Sequence, residues 1–208
     1  MHAPAPVGFD LDLTLIDSRR AIMASFAATA EATGVAIDPA GVESRLGIKL
    51  EDELSHWFAP GAIGGAVEIY RAHYARVAAG LTEVLPGAAA ALDAVRASGA
   101  RAVVITAKYV VPARAALEAT GLNADDLFTE RHGPEKAEVL TGIGAGVYVG
   151  DTPADMAAAR AAGAAAVGVA TGAFSADTLT ESGADVVLAS LLDFPAWYGT
   201  AVSGAGRG

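Results

Sequence analysis

The chain has 208 residues, with 14 Lys and Arg against 24 Asp and Glu, a net charge of −10, and no cysteine. Its length suits one domain, or one carrying a modest insert, and 53% hydrophobic residues, many of them Ala, supply a core and argue against disorder. The acidic balance, with no Lys/Arg cluster among aromatics, speaks against nucleic acid as a partner; the missing Cys excludes disulfides and thiolate metal sites, and no apolar stretch is long enough to span a bilayer.

At the N-terminus no basic region precedes an apolar one, so no export signal is expected and a cytoplasmic protein is. Residues 7–11, Val-Gly-Phe-Asp-Leu, read as a short buried strand running into Asp10 and Asp12. From 18 to about 82 there is helical spacing only: Ala21, Ile22, Ser25 and Phe26, then Leu50, Leu54, Trp57 and Phe58, then Ile69, Tyr70, Tyr74 and Val77. This stretch reads as a helical insert that returns to the core near Leu85-Pro86-Gly87.

Beyond it the pattern alternates. Strands are expected at 101–106, 146–149, 165–169 and 186–188, and helices at 88–98, 113–120, 135–141, 153–162 and 176–182. Several helices end at a glycine: Gly99, Gly121, Gly163 and Gly183. Strands apolar on both sides, alternating with helices, predict an α/β fold: a Rossmann-like, doubly wound parallel sheet covered on both faces. The expected division is a core of 1–15 and 86–200, a helical segment of 16–85 and a loose tail of small residues at 201–208.

In such a sheet the functional loops lie at the carboxyl ends of the strands. Asp10 and Asp12 follow the first strand, Thr106 closes the second, and Asp151 and Asp155 follow the strand at 146–149. Lys136 comes from the helix before that strand. Crowded carboxylates repel one another unless they share a proton or a cation, and hard oxygen ligands with few nitrogens favour Mg²⁺. Thr152-Pro153-Ala154-Asp155 is also a good helix start in its own right, with Thr at N-cap and Pro at N1. Lys136 is placed against preference, since the dipole of a helix's first turn disfavours a cation by ~0.3–1 kcal/mol.

Asp10-Leu11-Asp12-Leu13-Thr14-Leu15, Thr106, Lys136 and Gly150-Asp151-Thr152-Pro153-Ala154-Asp155 together resemble the four motifs of the haloacid dehalogenase superfamily. The resemblance runs over about residues 7–170 and is greatest to phosphoglycolate-phosphatase-like members, which insert a helical cap after the first motif. It implies a Mg²⁺-dependent phosphatase acting on a small phosphorylated metabolite, through an aspartyl-phosphate, as a monomer or homodimer. By that resemblance Asp10 is the nucleophile, and Asp12 protonates the leaving oxygen and then deprotonates water. Thr106 holds the phosphoryl oxygens, and Lys136 neutralises their charge and steadies Asp10. The metal falls to Asp10, the backbone carbonyl of Asp12, Asp151, and Asp155 directly or through water. Arg45 and Lys49 flank Gly47 in the insert; similar cap loops in the family face the active site, which implies that Lys49, with Arg45, meets the leaving group.

Three other readings share the motifs in whole or part. A phosphoglucomutase-like transferase passes the phosphoryl group to a sugar. A 2-haloacid dehalogenase uses the same nucleophile but needs neither Asp12 nor a metal. A binding or regulatory relative has lost activity, usually at the positions that are filled here. One position departs from the pattern: many relatives carry Gly where this chain has Leu13.

Overall fold

The computed structural model describes residues 4–205. The chain begins with β1 (Val7–Phe9), leaves the sheet through β2 (Ile16–Asp17), and makes α1 (Arg19–Thr33), α2 (Pro39–Ser44), α3 (Leu50–Ser55) and α4 (Pro60–Leu81). It returns through β3 (Glu83–Val84) and α5 (Ala88–Ala97). Strands and helices then alternate: β4 (Ala102–Ile105), α6 (Val110–Thr120), β5 (Asp126–Phe128), α7 (Pro134–Ile143), β6 (Val147–Gly150), α8 (Pro153–Ala161), β7 (Ala165–Val169), α9 (Ala176–Glu181) and β8 (Val186–Leu188). A 3₁₀ turn at Leu191–Asp193 leads into α10 (Phe194–Ala205).

The main sheet has the order β5-β4-β1-β6-β7-β8 and is parallel throughout. Successive strand residues face opposite ways, so each strand feeds two cores. Val7, Phe9, Val104, Val149 and Val167 pack with residues of α5, α6 and α10, whereas Val103, Ile105, Tyr148 and Ala166 pack with α7, α8 and α9. At Gly8, whose Cβ would lie 2.8 Å from the Tyr148 ring, the missing side chain makes room for that ring. Thus α5, α6 and α10 cover one face, and α7, α8 and α9 cover the other. The reversal falls between neighbours β1 and β6, where a doubly wound sheet opens its crevice.

The excursion between β2 and β3 is helical, with a core of its own around Phe26, Leu54, Phe58, Tyr70 and Tyr74. Its entry and exit run side by side: β2 and β3 pair antiparallel, Ile16 opposite Val84, and Leu85 N donates to Leu15 O at 3.0 Å. β5 is a strand that sequence reading does not anticipate. It is a three-residue, half-buried edge strand beginning with Asp, so it lacks an apolar run.

The C-terminus corrects an expectation. Residues 201–205, expected as part of a loose tail, continue α10, and 206–208 lie outside the described residues. The helix is held by buried rings: Phe194 meets Phe9 edge-on at 5.3 Å and stacks on Tyr198 at 5.4 Å. Among the described residues no helix is long and apolar enough to cross a membrane.

Candidate active site

Asp10 leaves the end of β1, its N–H donating to Val149 O of β6 at 2.8 Å, which fixes it beside the sheet's reversal point. Asp151 directly follows β6, and α8 then starts on a capping box. Thr152 Oγ1 accepts from Asp155 N–H at 3.1 Å, while Asp155 Oδ2 accepts from Thr152 N–H at 3.2 Å and from the Thr152 hydroxyl at 2.7 Å. The helix start and the site are therefore one construction. Oxygens of Asp10, Asp151 and Asp155 all come within 4.8 Å of one another, and all three residues are buried.

Lys136, from the first turn of α7, bridges the cluster. Its Nζ donates to Asp10 Oδ1 at 2.8 Å and Asp155 Oδ1 at 2.6 Å. Burial opposes its charge, but the two carboxylates outweigh burial and hold its pKa well above the usual lysine range. Tyr148, in the middle of β6, donates its hydroxyl toward Asp155 Oδ1 and Ile105 O, each at 3.1 Å. Sequence reading gives only the strand at 146–149 that contains Tyr148, and nothing in the local pattern signals the role of its hydroxyl.

One positive charge does not balance these carboxylates. Burial above all, with Asp155 and Asp12 nearby, raises Asp10 to about 7 despite Lys136. Burial and the charge of Asp10 likewise push Asp151 well up. Asp151 Oδ1 accepts from Thr14 Oγ1 at 3.2 Å, but its Oδ2 is buried with no hydrogen-bond partner. A Cβ on Gly172, in the loop after β7, would collide with that same oxygen, so the backbone closes directly over it. Hard oxygen donors, an orphaned carboxylate oxygen and two acids resisting ionisation fit a divalent cation held by Asp10 and Asp151. Asp155 is placed differently, because both of its oxygens are taken by protein donors.

Asp12 lies to one side. Its Oδ1 accepts from Ser18 Oγ at 2.5 Å and pairs with Lys108 Nζ at 2.9 Å. Lys108 follows β4, and its N–H donates to Thr106 Oγ1 at 3.1 Å. Thr106 is buried and, with Asp10, Asp12 and Lys136, lines a cavity of about 670 Å³ between the sheet edge and the helical insert. Leu13, between Asp12 and Thr14, has φ 62°, in the left-handed region that favours glycine.

Both basic residues expected from the insert line the same cavity, but they are not equivalent. Arg45 is committed to the buried Glu53 through two hydrogen bonds, 2.8 and 2.7 Å, and Trp57 Nε1 donates to the same carboxylate at 3.2 Å. Lys49 is exposed, and its ammonium makes no hydrogen bond or ion pair among the described residues. It lies close enough to His132 to add to burial in lowering that imidazole's pKa.

The haloacid dehalogenase-like hydrolase family model matches residues 7–160, which contain all of these side chains but not Gly172. A phosphoglycolate phosphatase of Rhodospirillum rubrum is 31% identical over 229 aligned positions, covering 98% of this chain and 95% of the relative. A probable phosphatase, IndB, of Dickeya dadantii is 28% identical, covering 86% and 87%. Among solved structures, a haloacid dehalogenase-like hydrolase family protein of Streptococcus pneumoniae superposes with a TM-score of 0.83 at 22% identity, over 93% of this chain and 98% of that one. The fold, the acidic edge and the span of the family match agree, and the chain belongs to the haloacid dehalogenase-like hydrolases.

Proposed function

We propose that this phosphatase of the haloacid dehalogenase-like family hydrolyses small phosphomonoesters with Mg²⁺, through an aspartyl-phosphate on Asp10. The observation that carries this reading is the pairing of a lysine-held Asp10 with the partnerless, buried Oδ2 of Asp151. A free carboxylate oxygen of Asp10 attacks phosphorus as the bond to the leaving oxygen breaks. Asp12 gives that oxygen its proton, then takes one from the water that hydrolyses the acyl phosphate. Lys136 and Thr106 face the phosphoryl oxygens and keep the group in line for attack. A magnesium ion bound by Asp10 and Asp151, with the Asp12 carbonyl, supplies Lewis-acid neutralisation of the phosphoryl charge. Lys49 of the insert meets the non-reacting part of the substrate.

The test is hydrolysis of p-nitrophenyl phosphate, followed by a panel of phosphorylated metabolites headed by phosphoglycolate, the ester named for the R. rubrum relative. Wild-type protein with Mg²⁺ turns over, and Asp10→Asn, whose amide cannot attack phosphorus, does not. Full activity in excess chelator, or in Asp10→Asn, rules the reading out. Phosphate passed to a sugar rather than released would mark a transferase.

A further inference from the structure

Asp12 and Lys108 form an arrangement that the motifs do not require. Two donors converge on one oxygen of Asp12: the Ser18 hydroxyl at 2.5 Å and the Lys108 ammonium at 2.9 Å, both on Oδ1. Asp12 Oδ2 has no hydrogen bond among the described residues, and the residue lines the cavity. Ser18 stands at the N-cap of α1 but makes no side-chain cap, forgoing a bond typically worth ~1 kcal/mol. Its buried hydroxyl serves Asp12 instead. Lys108 is held in turn from the insert: Nζ lies 2.8 Å from Tyr74 Oη and 4.3 Å from the centre of its ring, on α4. The Lys108 side chain is 8% exposed. An ammonium that deep, shared between a carboxylate and a phenol, has a defined position rather than a solvated sweep.

We propose that Lys108 is a positioning residue for Asp12, fixing the carboxylate through Oδ1 so that Oδ2 handles the proton, and that Tyr74 makes this grip depend on the insert's place over the sheet edge. The inference rests on the role given to Asp12 in the proposed reaction. In the first half-reaction the bond from phosphorus to the leaving oxygen breaks, its electron pair stays on that oxygen, and the proton on Asp12 Oδ2 passes to it. The carboxylate so formed stays in the grip of Lys108 and Ser18, aimed to accept a proton from the attacking water. Lys108 itself neither gains nor loses a proton. If α4 shifts, Tyr74 withdraws its share of the hold on Lys108, and Asp12 gains rotamer freedom.

A double-mutant cycle tests this with Mg²⁺ present, using p-nitrophenyl phosphate and whichever alkyl phosphate the wild-type enzyme hydrolyses fastest. Lys108→Met keeps the length of the side chain and removes the charge. For the alkyl ester its kcat should fall roughly ten- to hundred-fold, a part of the ~10²–10⁴ that positioned proton transfer is worth, with KM little changed. The nitrophenyl ester, whose leaving group needs little protonation, should lose less. In an Asp12→Asn background the same replacement should change kcat by less than about three-fold, because the group that Lys108 acts through is gone. Tyr74→Phe keeps the ring and should give a smaller kcat loss that also vanishes in Asp12→Asn, an independent reading should Lys108→Met fold poorly. A rise in KM alone would make Lys108 a substrate contact and overturn the proposal. So would an undiminished loss in the Asp12→Asn background. An Asp12→Asn enzyme as fast as wild type would instead overturn the functional reading, and this inference with it.

Discussion

Asp155 Oδ1 lies 2.6 Å from Lys136 Nζ, and that oxygen also receives the Tyr148 hydroxyl, while Oδ2 receives two donors from Thr152. A carboxylate has about four acceptor sites, so this one is fully subscribed within the protein. Asp151 offers the contrast of a buried oxygen with no donor at all. The two aspartates should therefore separate in a metal titration. Asp151→Asn should raise the Mg²⁺ concentration for half-maximal activity by about ten-fold or more. Asp155→Asn should lower kcat, through a loosened Lys136, while leaving that concentration within about three-fold. Equal weakening by both substitutions would make Asp155 a metal ligand after all.

The same crowding has a pH signature. Burial raises Asp10 from 3.8 to about 7, so in metal-free protein the folded state prefers the neutral acid more than the unfolded state does. The stabilisation from that proton is complete below the unfolded value and is lost as pH rises through the folded one. Metal-free protein should therefore lose stability between about pH 4 and pH 7 on account of this group. Mg²⁺ replaces the proton, so millimolar Mg²⁺ should raise Tm more at pH 8 than at pH 5, where it must displace it. Thermal melts with and without Mg²⁺ at the two pH values measure this directly. A gain that is the same at both would mean that Asp10 is not part of the cation site.

Leu13 offers a test that needs no substrate. It is buried, yet its φ of 62° costs an L-residue roughly 1–2 kcal/mol, a cost glycine does not bear. Leu13→Ala removes the packed side chain and keeps the strain; Leu13→Gly removes both. At an ordinary buried site glycine is worse than alanine by roughly 0.5–1 kcal/mol. Here the order should invert, with Leu13→Gly melting above Leu13→Ala. Leu11, buried beside it without a positive φ, should show the normal order.

These tests concern groups of uneven visibility in the sequence. The central strands announce themselves as apolar runs, and the carboxylates at their ends follow from the rule that places loops at strand termini. β5 does not, being three half-buried residues at an edge. Lys108 lies three residues beyond the end of β4 and carries no local signal, because its meaning depends on Asp12, ninety-six positions away. Tyr148 is hidden for the opposite reason: a strand interior rewards its ring, and its hydroxyl finds Asp155 only once α8 has turned back over β6. Local pattern records what a residue does for its own element. It is silent on partners that topology brings in.

The last expectation concerns Lys49. Among the cations lining the cavity, Lys136 and Lys108 are spent on carboxylates and Arg45 is clamped by Glu53. Arg71 lies 4.9 Å from the centre of the Tyr109 ring and 3.3 Å from Glu51. Lys49 alone in this group has no hydrogen bond or ion pair for its side chain among the described residues. It also sits at the start of α3, directly after the turn at Gly47. Gly47 has φ 102° and passes so close to the core that a Cβ would meet Thr152 at 2.8 Å. The turn thus brings Lys49 to the seam between insert and core, near His132, where the part of a substrate beyond its phosphoryl group must lie. A charged hydrogen bond there is worth roughly 1.5–3 kcal/mol, or about ten-fold and upward in affinity. Lys49→Ala should therefore raise KM by about that factor for the best metabolite of the panel, with kcat little changed, and spare p-nitrophenyl phosphate, which carries no anionic group beyond its phosphoryl group. Arg45→Ala should act instead on stability, since it strands the buried Glu53 without its partner. Unchanged kinetics for Lys49→Ala on that metabolite would return Lys49 to the solvent and leave recognition to Arg71 and the tyrosines of the insert.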